Sequence, residues 1–275
     1  MSNFWVRLLS GAGYVSIVLA AVLHSDYALL MLIFVFGALC LWEYFNWFKK
    51  QYSQVILAIA RILGLGALTL LLGSLYLPSY THYYPLFLMA LPLLSVCTLY
   101  LPSGKFLSFM GKSLLGWGLI ITPVSSIILL LIASSKFGNY YLLFFFIAIW
   151  TNDTGAYLSG RSFGKNPLFP RISPKKTWEG LIGGIILTLL FAIGFNLFNS
   201  NASGSLLFDL GFAAIIAFGG TFGDLVESAL KRELGIKDSG KIMPGHGGIL
   251  DRLDGVLMAA PLAYAYFYFC HSFVS

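Results

Sequence analysis

Residues 206–231 read LLFDLGFAAIIAFGGTFGDLVESALK. The stretch is apolar for most of its length, and a helix of roughly 20 apolar residues is enough to cross the hydrocarbon core of a bilayer. Blocks of similar length and character recur from one end of the chain to the other. Of the 275 residues, 58% are hydrophobic and only 10% are charged, whereas a soluble domain carries about a quarter charged residues. Inside lipid a spanning segment must satisfy its own backbone, so these blocks are expected to be helices. They are too long and too uniformly apolar for barrel strands. The chain therefore reads as an all-α polytopic integral membrane protein. Nine spans are expected, at roughly 4–23, 27–48, 55–77, 83–101, 114–134, 140–160, 180–199, 206–231 and 252–272. Arg7 precedes the first apolar run in the manner of a signal peptide. A second span follows at once, so the run is read as a retained first helix.

Lysine and arginine orient the spans, since cytoplasmic loops carry an excess of both. With nine spans and the N-terminus inside, Arg7, Lys49, Lys50, Arg61, Lys105 and Lys112 fall on the cytoplasmic side. So do Arg161, Lys165, Arg171, Lys175 and Lys176, and so do Lys231, Arg232, Lys237, Lys241 and Arg252. Lys136 alone falls outside, which puts 16 of 17 basic residues on one side. The stretch 199–205 is then a short external loop. The net charge of +6 is accounted for by orientation and anion binding, and no nucleic-acid partner is implied. Cys40, Cys97 and Cys270 lie inside apolar blocks without metal-binding spacing, and no disulfide is inferred.

The acids are unevenly placed, with nine of eleven in the second half. Of the other two, Asp26 reads as a solvated cap at a span edge, and Glu43, beside Trp42 and Trp47, as a residue reaching the membrane interface. Carboxylates within lipid spans are costly and usually functional or paired. Asp153 lies in the sixth span, Asp224 and Glu227 in the eighth, and Asp254 opens the ninth. Asp224 and Glu227 are spaced i, i+3 and Glu227 and Lys231 i, i+4, so one helical face carries acid, acid, base. For Glu227 an internal salt bridge to Lys231 and a catalytic role stand side by side.

The long polar passage Ser228–Asp254, SALKRELGIKDSGKIMPGHGGILDRLD, supplies cations, His246, carboxylates and the glycines Gly245, Gly247 and Gly248. Glycines let a backbone approach an anion and offer it N–H donors, and lysine and arginine neutralise phosphate charge. Asp251 and Asp254, also i, i+3, can hold one divalent ion from one helix face. Taken alone, the charges also fit a solvated cytoplasmic loop. Their ordered combination with the glycines describes a site for a phosphate–metal substrate. In the loop 161–180, Ser173-Pro174 is expected to start a turn or helix, with Glu179 near that helix's N-terminus.

Ser228–Lys231–Arg232, Lys237–Asp238, Pro244, His246–Gly247–Gly248, Asp251–Arg252 and Asp254 together resemble the signature of the bacterial phosphatidate cytidylyltransferases. Met243 is a small departure, apolar where another hydrophobic residue is expected. Asn152–Tyr157 and Ser173–Gly180 also look like blocks of that family, so the likeness covers about 150–255. It implies a reaction in which CTP and phosphatidic acid give CDP-diacylglycerol and pyrophosphate, assisted by Mg2+, with a second cation left open. Asp224, Asp251 and Asp254 are then the leading metal ligands, with Asp153 a fourth candidate. Lys231, Arg232, Lys237 and Arg252 bind phosphates, alongside Asp238 in the substrate site, and Gly247–Gly248 cradle a phosphate. His246 either shares that cradle or orients a carboxylate. Lys175 and Lys176 meet the lipid phosphate or close over the nucleotide. Residues 140–275 form the catalytic region, and 1–139 a scaffold, lipid-facing wall or dimer surface. The resemblance further implies membrane lipid as surroundings, a homodimer, the bacterial inner membrane as location and a cytoplasmic active site. A CTP-dependent lipid kinase would use the same charges, and a cation-coupled transporter would use Asp153, Asp224 and Asp254 as an ion path.

Overall fold

The computed structural model describes residues 3–76, 89–99, 101–102, 104–134, 139–198 and 205–272. It divides into two compact units, residues 1–128 with 239–250 and residues 129–238 with 251–275. The architecture is helical, as the apolar blocks require, with one two-stranded hairpin.

The first unit contains α1 (Asn3–His24), α2 (Asp26–Asn46), α3 (Gln54–Tyr76), α4 (Ala90–Thr98) and most of α5 (Phe106–Ala133). Ser25 is the N-cap of α2, its hydroxyl accepting from Ala28 N at 3.2 Å, a bond that satisfies one of the amides a helix start leaves open. Arg61, on α3, lies over the Trp42 ring at 4.4 Å and donates to Asn46 Oδ1 at 2.8 Å. That charge is therefore spent on α2. Tyr44 packs against Gly116 and donates to the Lys112 carbonyl at 2.8 Å.

The second unit contains α6 (Tyr140–Phe163), strands β1 (Pro167–Phe169) and β2 (Ser173–Thr177), α7 (Trp178–Phe198), α8 (Leu206–Glu233) and α9 (Leu250–Ser272). Two close seams shape it. A Cβ on Gly155 of α6 would lie 3.0 Å from the Gly183 carbonyl and 3.1 Å from Gly184 Cα on α7. A Cβ on Gly219 of α8 would lie 2.6 Å from Ala259 Cα on α9. Small residues bring the backbones of membrane helices together where no hydrophobic force exists to do so. At the end of these helices remote from the hairpin, Tyr141, Phe144, Phe212 and Phe267 interlock. Beside them buried Asp209 accepts from Asn196 at 2.8 Å and from Tyr140 at 3.4 Å.

Seven helices, α1, α2, α3, α5, α7, α8 and α9, are long and apolar enough to cross a membrane, so the chain is a polytopic integral membrane protein. Seven of the nine expected spans are thus identified among the described residues. The sixth is the 24-residue helix α6, whose polar run Thr151–Thr154 lowers its apolar character. The fourth lies partly outside the described residues, as do Lys136 and most of the expected external loop 199–205. Ser173-Pro174 begins a strand and not a helix. β1 and β2 pair antiparallel, Pro167 with Thr177 and Phe169 with Ser173, and both strands of so small a sheet are edges, where proline removes no needed donor. Helix α7 starts at Trp178, and Thr177 Oγ1 accepts from Gly180 N at 3.1 Å.

The α8–α9 seam is expected to reject side chains. Gly219→Ala should lower stability by about 1–3 kcal/mol, the usual range for overpacking. Gly194→Ala, where a Cβ meets nothing within 4 Å, should be neutral or stabilising. Unfolding of the purified variants in mixed micelles measures both.

Candidate active site

The α8–α9 seam brings carboxylates from two helices together. Gly223 packs directly against the Asp254 carbonyl, so α9 lies close enough for its acids to meet those of α8. One oxygen each of Asp224, Glu227 and Asp254 lies within 4.8 Å of the others. Glu227 is buried, and Asp224 and Asp254 are half-buried. Asp254 Oδ1 accepts from Gly255 N at 2.7 Å, and Asp224 Oδ1 from the Ser228 hydroxyl at 3.1 Å. Beyond its ion pair with Lys231, neither oxygen of Glu227 has a hydrogen-bond partner among the described residues.

Two lysines enter this cluster. Lys231 Nζ lies 2.6 Å from Glu227 Oε2 and 2.6 Å from Asp251 Oδ1, and all three side chains are buried. Lys176 Nζ lies 2.6 Å from Asp224 Oδ2 and donates to the Thr221 carbonyl at 3.2 Å. The hairpin is what carries Lys176 there. Leu168 and Ile172, from β1 and the turn, pack with Leu181 and Ile185 of α7 and Phe222 and Leu225 of α8. The Asn166 carbonyl accepts from Trp178 N at 3.0 Å, and the Glu179 carboxylate accepts from Asn166 Nδ2 at 2.7 Å and from Lys165 N at 3.2 Å. Glu179 therefore holds the entry to the hairpin from the first turn of α7.

Beside the cluster opens a cleft of about 300 Å³, lined among others by Asp153, Tyr157, Lys175, Lys176, Thr221 and Asp224. Asn152, buried on α6, donates to Thr221 Oγ1 at 3.2 Å and ties that helix to α8. Asp153, on the cleft wall, is within electrostatic reach of Asp224, Lys176 and Arg252. Five carboxylates (Asp153, Asp224, Glu227, Asp251 and Asp254) thus face three cations (Lys176, Lys231 and Arg252). Carboxylates outnumber cations here, and such a set of clustered oxygen donors fits a hard divalent cation, which takes oxygen ligands. Asp224, Glu227 and Asp254 are the residues that would hold it.

The sequence-expected residues are placed unequally. Asp153, Asp224, Asp251, Asp254, Lys176, Lys231 and Arg252 belong to this neighbourhood of the second unit. Asp251 spends one oxygen on Lys231. Lys175 lines the cleft and is exposed. Arg232 is exposed and donates to the Ile236 carbonyl at 3.2 Å, and Lys237 and Asp238 are exposed after the end of α8. His246, Gly247 and Gly248 belong to the first unit, where His246 Nδ1 lies 2.6 Å from the Ser10 hydroxyl. Of the two readings for Glu227, the salt bridge is present, and the same carboxylate belongs to the acidic cluster. Asn152 and Thr221 carried no separable signal, because a single polar residue in an apolar helix does not reveal its partner. Glu43, expected to reach outward beside its tryptophans, is instead buried at 2% exposed, its carboxylate taken up by Ser239 and the amides of Ile249 and Leu250.

Fold and site together define a polytopic membrane protein with an acidic, lysine-bordered centre between its C-terminal helices. The chain belongs to the cytidylyltransferase family, whose sequence model matches residues 5–270. It is 46% identical over 131 residues to the phosphatidate cytidylyltransferase of Haemophilus influenzae, covering 45% of this chain and 44% of that protein. It is 49% identical over 123 residues to that of Thermotoga maritima, covering 43% and 45%. With the Staphylococcus aureus enzyme (strain COL) it shares 46% over 123 residues, covering 42% and 45%. The chain thus spans under half the length of the curated relatives it matches.

Removing Lys231 leaves two buried carboxylates uncompensated. Lys231→Met should cost about 3–5 kcal/mol, the range for breaking a buried pair from one side. Arg232→Met, at an exposed neighbour, should stay within about 0.5 kcal/mol. Unfolding of both variants in mixed micelles checks the contrast.

Proposed function

We propose that the protein is a phosphatidate cytidylyltransferase, which joins CTP and phosphatidic acid into CDP-diacylglycerol and releases pyrophosphate. The observation that carries the reading is the clustering of Asp224, Glu227 and Asp254 with Lys176 and Lys231 beside a cleft, in a chain of the cytidylyltransferase family. An oxygen of the lipid phosphate attacks the α-phosphorus of CTP. A P–O bond forms there as the bond to the β-phosphate oxygen breaks, and pyrophosphate leaves with the electron pair. A phosphate monoester is already nucleophilic, so the protein need supply no strong base, and its work is positioning and charge.

Asp224, Glu227 and Asp254 would hold Mg2+, with Asp251 and Asp153 as further carboxylates of the same neighbourhood. When bound, Mg2+ supplies positive charge to the phosphates and aligns them. Lys231 keeps Glu227 and Asp251 in place. Lys176, at the cleft, exchanges its pairing with Asp224 for a substrate phosphate, and exposed Lys175 meets the same anions from the rim. Arg252 balances Asp153. Phosphatidic acid comes from the bilayer and CTP from water, so the site belongs at the cytoplasmic face of a bacterial inner membrane, with the N-terminus on the same side. Residues 140–275 carry the chemistry, residues 1–139 serve as scaffold or dimer surface, and the working form is a homodimer.

Purified protein given phosphatidic acid, Mg2+ and CTP labelled at the α-phosphate should move label into lipid and release unlabelled pyrophosphate. Asp224→Asn and Asp254→Asn should each lower the rate at least a hundredfold. Chelation should stop transfer, and Mg2+ should restore it. Transfer from γ-labelled CTP instead would make the protein a kinase, and no transfer with either label would sink the enzyme reading. For orientation, a cysteine at Lys237 should be labelled by an impermeant maleimide in inside-out vesicles and protected in intact cells.

A further inference from the structure

Glu43 is the one acid of the first unit that is buried among the described residues. Such a charge must be met by donors or it is very costly. Its carboxylate accepts from Ile249 N at 3.0 Å, from Leu250 N at 2.9 Å and from the Ser239 hydroxyl at 2.9 Å. All of these residues belong to the same unit. Leu250 is the first residue of α9, and a carboxylate at a helix N-terminus satisfies open amides and opposes the helix dipole favourably. The glycines on either side conform to it. A Cβ on Gly240 would meet the Glu43 carboxylate, and a Cβ on Gly248 would meet both that carboxylate and the Ser239 hydroxyl. Trp47 Nε1, one turn beyond Glu43, donates to the Ser239 carbonyl at 2.9 Å. Between these anchors the segment is a tight loop. Met243 N donates to the Gly247 carbonyl at 2.9 Å, and Gly245 and Gly247 adopt φ of 75° and 85°.

We infer that Glu43 is a positioning residue, a carboxylate latch that fixes both ends of the segment 239–250 and accepts the amide of Leu250, with which α9 begins. Asp251 follows Leu250 by one peptide bond, and Asp254 lies three residues on. A latch on the first amide of α9 therefore constrains the start of the helix that carries two of the acids. The consequence for catalysis rests on the activity proposed above, and the latch itself does not.

The test uses the full chain in lipid nanodiscs, with Glu43→Gln and Glu43→Asp. Glutamine keeps the shape, but it turns an N–H group toward amide donors, while aspartate keeps the charge on a shorter arm. Hydrogen exchange at Ile249 and Leu250 should quicken at least tenfold in Glu43→Gln, with exchange in the middle of α3 and α7 unchanged. The Mg2+ concentration for half-maximal cytidylyl transfer should rise at least fivefold, with Glu43→Asp between the two. Unchanged exchange at Ile249 and Leu250 would overturn the latch whether or not the wild-type protein transfers label. Faster exchange with unchanged Mg2+ dependence and unchanged kcat would overturn the positioning role. If Glu43→Gln does not fold, Ser239→Ala removes one donor without creating a clash, and exchange at Leu250 should then quicken by a smaller factor.

Discussion

The ammonium of Lys231 lies at 2.6 Å from both Glu227 and Asp251, and the acidic centre depends on it. A lysine inside a membrane-spanning helix is tolerated when it is paired. Here it is paired twice, once along its own helix and once across to α9. The i, i+4 partner is fixed by helix geometry alone. The second partner is available only because α8 and α9 come close, and they come close because Gly219 and Gly223 offer no side chain to hold them apart. One cation and two glycines therefore decide where four acids of the second unit sit. Truncating a partner would strand a buried charge, so the arrangement is also a source of fragility.

The same logic runs through the other seam. Gly155 and Gly184 let α6 and α7 approach, which places Asn152 against α8 and Asp153 at the cleft. The hairpin between these helices is too small to be stable by itself. Leu168 and Ile172 anchor it on α7 and α8, and Glu179 accepts amides from its entry. What it delivers is Lys176, a cation brought from outside α8 to the one acid of that face with no lysine a turn away. The site is thus assembled from packing first and charge second.

The parts legible in the sequence were those whose signal is local. Spans show as apolar length, and the pair Glu227–Lys231 shows as spacing. The acids of the second half stand out because lipid makes them costly. What was not legible depended on partners distant along the chain. Lys231, a phosphate ligand by resemblance, pairs with Asp251, twenty residues on, and nothing near it in the sequence shows that partner. Ser173-Pro174 looks like the start of a turn or helix, because the pairing of Ser173 with Phe169 leaves no mark in so short a strand, and the packing that holds the hairpin comes from α7 and α8. Glu43, flanked by tryptophans, looks interfacial because nothing near it in the sequence reveals Ser239, Ile249 and Leu250. The resemblance makes Gly247–Gly248 a phosphate cradle, with His246 in it or orienting a carboxylate; the Ser10 hydroxyl at His246 and the Glu43 carboxylate at Gly248 also give these residues a structural reason to be there.

The balance of charge bears on the order of events in the proposed reaction. Both substrates are anions, and a centre in which five carboxylates face three cations repels them. Asp224, Glu227 and Asp254 are the residues that would hold a divalent cation; its charge would offset theirs, and Lys176 could then turn from Asp224 toward a phosphate. The lysine is then more than a fixed counter-ion. Half-exposed at the cleft, it can exchange partners at little desolvation cost, whereas buried Lys231 cannot. The two lysines divide the work by burial: one holds the acids in place, and the other answers to what occupies the cleft.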